Sequence, residues 1–276
     1  MTTVASTKNL KTTRFSSLGA LNRSAEIWFV VAVIGHGLFA YYIMAGYGRL
    51  AVSGDSATAN EILPTGIISG DLIGNLFLIA HLSLAFVITF GGPLQILPQL
   101  RKRAMGFHRW NGRIYIITAI VISIAGLYLT YFRESPIAGI LNQLGITLNA
   151  ALIMICTVMT IRSARSHDVT KHRRWALRTF LMVAGVWFMR LGYGFWIFIH
   201  NGMPPGITSD LQGPFDIFLA FANSLLPLAF LELYFYAQNR GSAMTRWVVS
   251  VVIIGLAIAT GIGIFMALQI FWLPRL

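Results

Sequence analysis

The apolar residues of this chain are gathered into blocks long enough to cross a lipid bilayer, and no motif constrains its fold more. A hydrocarbon core of about 30 Å calls for about 20 apolar residues in a helix that rises about 1.5 Å per residue. Seven runs approach or exceed that length: 27–47, 72–97, 114–132, 140–161, 175–199, 215–236 and 247–273. Soluble domains carry about 25% charged residues, whereas this one has 11% against 56% hydrophobic. The expected fold is therefore all-α: one integral membrane domain over 26–276, seven transmembrane helices, preceded by a basic tail over 1–25. Gly91-Gly92-Pro93 predicts a kink or local unwinding in the second run, and Pro227 lies inside the sixth. In the seventh, Gly255, Ala259 and Gly263 recur every four residues, a stripe suited to close helix packing.

The net charge of +12 follows the connectors. With the chain starting inside, 17 of the 21 Lys and Arg residues fall on cytoplasmic segments, and Arg49, Arg133 and Arg275 on outer ones. This is the pattern of the positive-inside rule, with a cytoplasmic N-terminus, an outer C-terminus and placement in a bacterial inner membrane. The basic charge then implies lipid bilayer and anionic headgroups on the cytoplasmic side as partners, not nucleic acid. Cys156 is the single cysteine, which excludes an internal disulfide and a cysteine-based zinc site. No P-loop, zinc-protease motif, nucleophile elbow, haem-attachment CxxCH or usefully spaced carboxylate pair occurs, so hydrolase chemistry is disfavoured.

Ionisable groups inside a bilayer are costly, and each asks for a partner or a role. His36 lies ten residues after Glu26, and His81 ten after Asp71. At about 15 Å from opposite surfaces, both fall near the midplane of consecutive helices. Two neutral imidazoles at one depth suit a metal ion or the axial positions of a haem iron. They suit a buried polar or proton-handling cluster equally, or separate packing roles. Arg190 lies at similar height, where its guanidinium suits a carboxylate or phosphate of a bound group, a helix carbonyl or Asp216. Asn149 and Asn223 fall near the same layer. Arg178 and Glu232 fall at matching depth on antiparallel neighbours and are expected to form a structural ion pair.

Two basic connectors resemble each other. One carries His108-Arg109-Trp110 with Arg113 beyond, the other His172-Arg173-Arg174-Trp175 with Arg178 beyond. Each opens a helix rising from the same side, so His108 and His172 lie at one level. Helix N-termini and arginines together favour anions. Arg109, Arg113, Arg173 and Arg178 are thus expected to meet headgroups, phosphates or cofactor propionates, unless they are ordinary interfacial anchors.

His81, then Gly92-Pro93-Leu94-Gln95, then His108-Arg109-Trp110-Asn111-Gly112-Arg113-Ile114-Tyr115, and later His172-Arg173-Arg174-Trp175-Ala176-Leu177-Arg178 resemble the pattern of a bacterial family of integral membrane proteins catalogued as a domain of unknown function. The resemblance runs from about the second to the fifth or sixth helix and implies no activity. A looser architectural likeness is to di-haem membrane cytochromes, which hold haem b between histidines of adjacent helices. Three functions stay open. One is a haem- or metal-binding redox protein using His36, His81, His108 and His172 with Arg190. The others are a small-solute or proton-coupled transporter and an assembly subunit of a membrane complex.

Overall fold

The computed structural model describes residues 16–48, 66–133, 139–202 and 204–276. Lys8, Lys11, Arg14, Arg49, Asp55, Glu61 and Glu134 lie outside them.

Nine α-helices occur among the described residues: α1 (Ser17–Tyr42), α2 (Leu72–Ile96), α3 (Pro98–Arg103), α4 (Met105–Tyr131), α5 (Ile140–Arg165), α6 (Val169–Val183), α7 (Gly185–Ile199), α8 (Pro214–Arg240) and α9 (Ala243–Ala267). π-helical turns, Ile43–Tyr47 and Leu268–Trp272, extend α1 and α9. The starts are set by side chains that satisfy the first free amides. Ser16, Asp71, Asp168 and Ser242 accept from the N–H groups of Gly19, Gly74, Lys171 and Thr245. Asp216 accepts from Gly213 N–H at 2.9 Å before α8. The cap on Ser16 starts α1 well before the apolar run at 27, and an Arg23–Glu26 pair at 3.1 Å rides on that polar turn.

Six helices, two of them with their π-helical ends, are long and apolar enough to cross a membrane. The pair α6–α7 meets the same test together but bends by 56° at Ala184, so the spans number seven if the bent pair is one. The expected multi-pass helical membrane bundle is what forms. Neighbours close a ring: α1 packs on α2 and α9, α2 on α4, α4 on α5, α5 on α8, and α7 on both α8 and α9. The first half of the broken span lies against α5 and α8. Asn22 at the start of α1 accepts from Tyr234 and Gln238 near the end of α8, so alternate ends share one rim. The basic starts of α4, α6 and α9 belong to that rim. At the other, Arg133 is 6% exposed and donates to the carbonyls of Gly66 and Gly74 and to Asn75 Oδ1.

Two departures from expectation have local causes. α2 runs through Gly91-Gly92-Pro93 without a break: Pro93 supplies no N–H to the Thr89 carbonyl, and Asn111 of α4 donates to the nearby Gly91 carbonyl at 3.0 Å, tying this stretch to its neighbour. The break falls instead at Ala184. Asn149 of α5 donates there to the Met182 carbonyl at 2.9 Å and to Ser224 Oγ at 2.7 Å. A Cβ on Gly185 would come within 2.8 Å of the Asn149 amide nitrogen and 2.9 Å of Asn223 Oδ1. The small-residue stripe of α9 is used at one end only. A Cβ on Gly263 would lie 2.8 Å from the Leu191 carbonyl oxygen, whereas one on Gly255 would meet nothing within 4 Å.

Candidate functional site

At the basic rim three separated stretches of sequence interlock. Gln95, one turn after Pro93, donates to the His108 carbonyl at 3.1 Å and lies 3.4 Å from His108 Nε2. Its oxygen accepts from Asn111 Nδ2 at 2.9 Å, the same amide that serves Gly91. Gly112 leaves room for Gln95: an added Cβ would sit 2.7 Å from the amide nitrogen. One turn deeper, Gly92 lies between Tyr115 and Phe180, at 3.1 and 3.2 Å from where its Cβ would be. These contacts fix His108 relative to α2, and Nδ1 of His108 remains buried with no hydrogen-bond partner.

His172, at the start of α6, lies within electrostatic reach of His108. Its Nδ1 lies 3.2 Å from the Thr160 carbonyl of α5 and donates to it, so in the neutral ring Nε2 holds the lone pair. Thr160 is itself held by Thr179 at 2.9 Å. The fold thus brings His108 and His172 to one level from different helices, each oriented by a neighbouring helix. Asp168 caps α6 just beyond them. The Lys171 backbone N–H, the Lys171 side chain and its charge hold its carboxyl below the usual range.

His36 and His81 do not share surroundings. His36 is 4% exposed, and its Nδ1 donates to the Ala32 carbonyl at 2.8 Å. Its ring packs on Phe180 and Trp187, with centroids at 5.3 and 4.2 Å. His81 turns toward α4, beside the Ile122 backbone, and a Cβ on Gly126 would come within 3.4 Å of its Cε1. Its Nδ1 is buried without a partner. The two rings make their contacts with different helices, and among the described residues no three His, Cys, Asp or Glu side chains gather as a metal site.

Arg190 of α7 donates to the Val186 carbonyl at 3.2 Å and lies over the Phe39 ring at 5.1 Å. Asp216 does not answer it, since that carboxylate accepts from Tyr193, Thr208 and Gly213. Arg178 forms a two-pronged pair with Glu232, Nε–Oε1 at 2.6 Å and Nη2–Oε2 at 2.9 Å, while stacking over Trp175 at 4.5 Å. Arg109, Arg113 and Arg173 are exposed on the rim, and Arg113 lies over Trp110 at 5.1 Å. The clamp of Gln95 and Asn111 and the aromatic walls around His36 had no role in the sequence reading. Gln95 and Asn111 stand inside the quoted motifs, and a polar side chain in an apolar helix end was the available signal.

The bundle, its apolar spans and its basic rim define a multi-pass helical membrane protein. Residues 78–208, just under half of the chain, match the family model described as "Predicted membrane protein (DUF2306)", whose function is unknown. That stretch contains His81, the Gln95–His108–Asn111 clamp, His172, Arg178 and Arg190, and leaves out His36 and Glu232. No curated protein and no solved structure matches the chain.

Proposed function

We propose that this is a membrane redox protein that holds haem b or a metal ion at its basic rim, with His108 and His172 as the ligands. The observation that carries the reading is that each ring, at the same rim, is oriented by a neighbouring helix. His172 presents an Nε2 lone pair fixed by the Thr160 carbonyl, and His108 has a buried Nδ1 that no protein group answers. Outer hydrogen bonds that orient ligating imidazoles are a regular part of metal and haem sites. When bound, the group would accept and pass on single electrons. The chain's own residues do the rest. Gln95 and Asn111 hold His108 in place, Thr160 fixes the tautomer of His172, and exposed Arg109, Arg113 and Arg173 offer charge to propionates or to lipid phosphates. The basic rim faces the cytoplasm of a bacterial inner membrane in this reading. His36, whose Nδ1 is engaged and whose Nε2 is therefore unprotonated, and His81 would serve a second group or none.

The test is purification in mild detergent, followed by an absorbance spectrum and metal analysis of the wild type and of H108A, H172A, H36A and H81A. A haem band or stoichiometric metal, abolished in H108A and H172A, is expected. A colourless, metal-free wild type, or full occupancy in both rim variants, would end the proposal. A carrier is the second reading, favoured by the span broken at Ala184. Solute uptake in proteoliposomes that is lost in R190A would favour it.

A further inference from the structure

The end of the bundle away from the basic rim holds a cluster rich in hydrogen-bond donors and poor in acceptors. Its centre is the Phe39 ring of α1. Arg190 covers that ring at 5.1 Å, and Trp272 stacks on it at 5.4 Å. Tyr42, 6.3 Å from Trp272 by ring centroids, shares a hydrogen bond with Tyr47, hydroxyl to hydroxyl at 3.1 Å. Tyr47 and Trp272 come from the two π-helical turns, an irregularity that recurs at functional sites. Arg275, one turn beyond, lies within electrostatic reach of both Arg190 and Tyr47.

The hydrogen bonds do not balance among the described residues. Two hydroxyls share one bond, so one phenolic proton is left to donate. The indole N–H groups of Trp272 and Trp187 are buried and have no acceptor, and both rings belong to this apolar cluster. Arg190 has five N–H donors, of which one meets the Val186 carbonyl, and among the described residues no carboxylate lies within ion-pair distance of it. An uncompensated guanidinium at this depth is costly, and such groups mark binding sites.

We propose that this cluster binds the carboxylate of a small organic anion with an apolar tail. Arg190 is its anchor, the Tyr42–Tyr47 pair its second donor, and the partly buried Leu268, Phe271 and Leu276, packed on the closed Phe39–Trp272 stack, the wall for the tail. Arg190 supplies the positive charge inside the cluster, while Arg275 is exposed at its edge, which favours a monoanion seated on Arg190. The planar fork of arginine matches the two carboxylate oxygens. Arg190 as a residue is half-buried, so a ligand reaching this end of the bundle meets it. The site is separate from the histidines of the basic rim and stands whether or not they hold a cofactor.

The test uses full-length protein in nanodiscs of zwitterionic lipid, with octanoate as probe and octanamide and chloride as controls. Equilibrium dialysis gives affinity, and tryptophan emission places the ligand beside Trp272. Saturable octanoate binding is expected, with octanamide and chloride about tenfold weaker or worse. R190Q is expected to lose about tenfold or more in affinity, Y47F about threefold, and R190K to fall between wild type and R190Q. The emission change on binding should shrink in W272F. Because no carboxylate among the described residues pairs with Arg190, R190Q should unfold no more readily than wild type when octanoate is absent. Equal binding of octanoate and octanamide, or unchanged affinity in both R190Q and Y47F, would overturn the proposal. So would matching losses of stability in R190Q and in D55N or E61Q, which would show that the chain supplies its own counter-charge.

Discussion

Replacing Gly263 by alanine tests the packing that sets the broken span against its neighbour. The new Cβ would sit 2.8 Å from the Leu191 carbonyl oxygen, 3.0 Å from Leu191 Cβ and 3.2 Å from Leu191 Cα. Comfortable carbon contacts lie at about 3.5–4.0 Å, so the overlap is several tenths of an ångström. It falls largely on backbone, which cannot rotate away as a side-chain tip can. Gly194 meets the same crossing from the other side, with the Gly263 carbonyl 3.0 Å from its own notional Cβ. Separating α7 from α9 should cost about 1–3 kcal/mol, a shift of about 5- to 150-fold in the unfolding equilibrium. The control is G255A on the same helix, where nothing stands within 4 Å. Removing that glycine's helix penalty should be neutral or stabilise by up to about 1 kcal/mol. Both variants would be unfolded by titrating SDS into mixed micelles and following helical circular dichroism. A G263A midpoint equal to that of wild type, or the same change in both variants, would refute the assignment of the crossing.

N111A removes the bonds to the Gly91 carbonyl and to Gln95, strands two acceptors, and should destabilise by about 1–3 kcal/mol in the same titration while loosening His108. For Arg178 and Glu232, a double-mutant cycle with R178Q and E232Q should give a coupling of about 1 kcal/mol. R178Q should be the worse single change, since Arg178 also stacks on Trp175 and Phe235. The carboxyl of Asp168 is held down in the folded chain, so its cap on α6 is fully present above the ordinary carboxylate range and fades as pH falls through the lowered value. Hydrogen exchange at the first turn of α6 should therefore quicken, beyond the intrinsic pH trend, toward acid in wild type. In D168N that extra change should be absent.

The positions of the spans and the rim they share were legible because hydrophobic runs and basic connectors register on the sequence directly. So was the level of His108 and His172, since counting residues along a helix measures height. Counting does not measure the angle around the axis. His36 and His81 have matching heights, yet one faces Phe180 and Trp187 and the other Gly126. The pairing of Arg178 with Glu232 was foreseeable because opposite charges at one height on antiparallel neighbours find each other. The bend at Ala184 was not, because its cause lies elsewhere in the chain, in Asn149 and in the space denied to Gly185. Gly91-Gly92-Pro93 looked like a break from its own residues, yet α2 continues through it, with Asn111 of α4 bonded to the Gly91 carbonyl.

The bend gives the span a joint where its neighbours are beams. The rod bearing His172 and the rod bearing Arg190 meet at Ala184, and the Asn149 side chain beside the joint ties the Met182 carbonyl of the first rod to Ser224 of α8. At that joint the Met182 carbonyl takes its hydrogen bond from a neighbouring helix, so the seam of this span is stitched from outside the span itself.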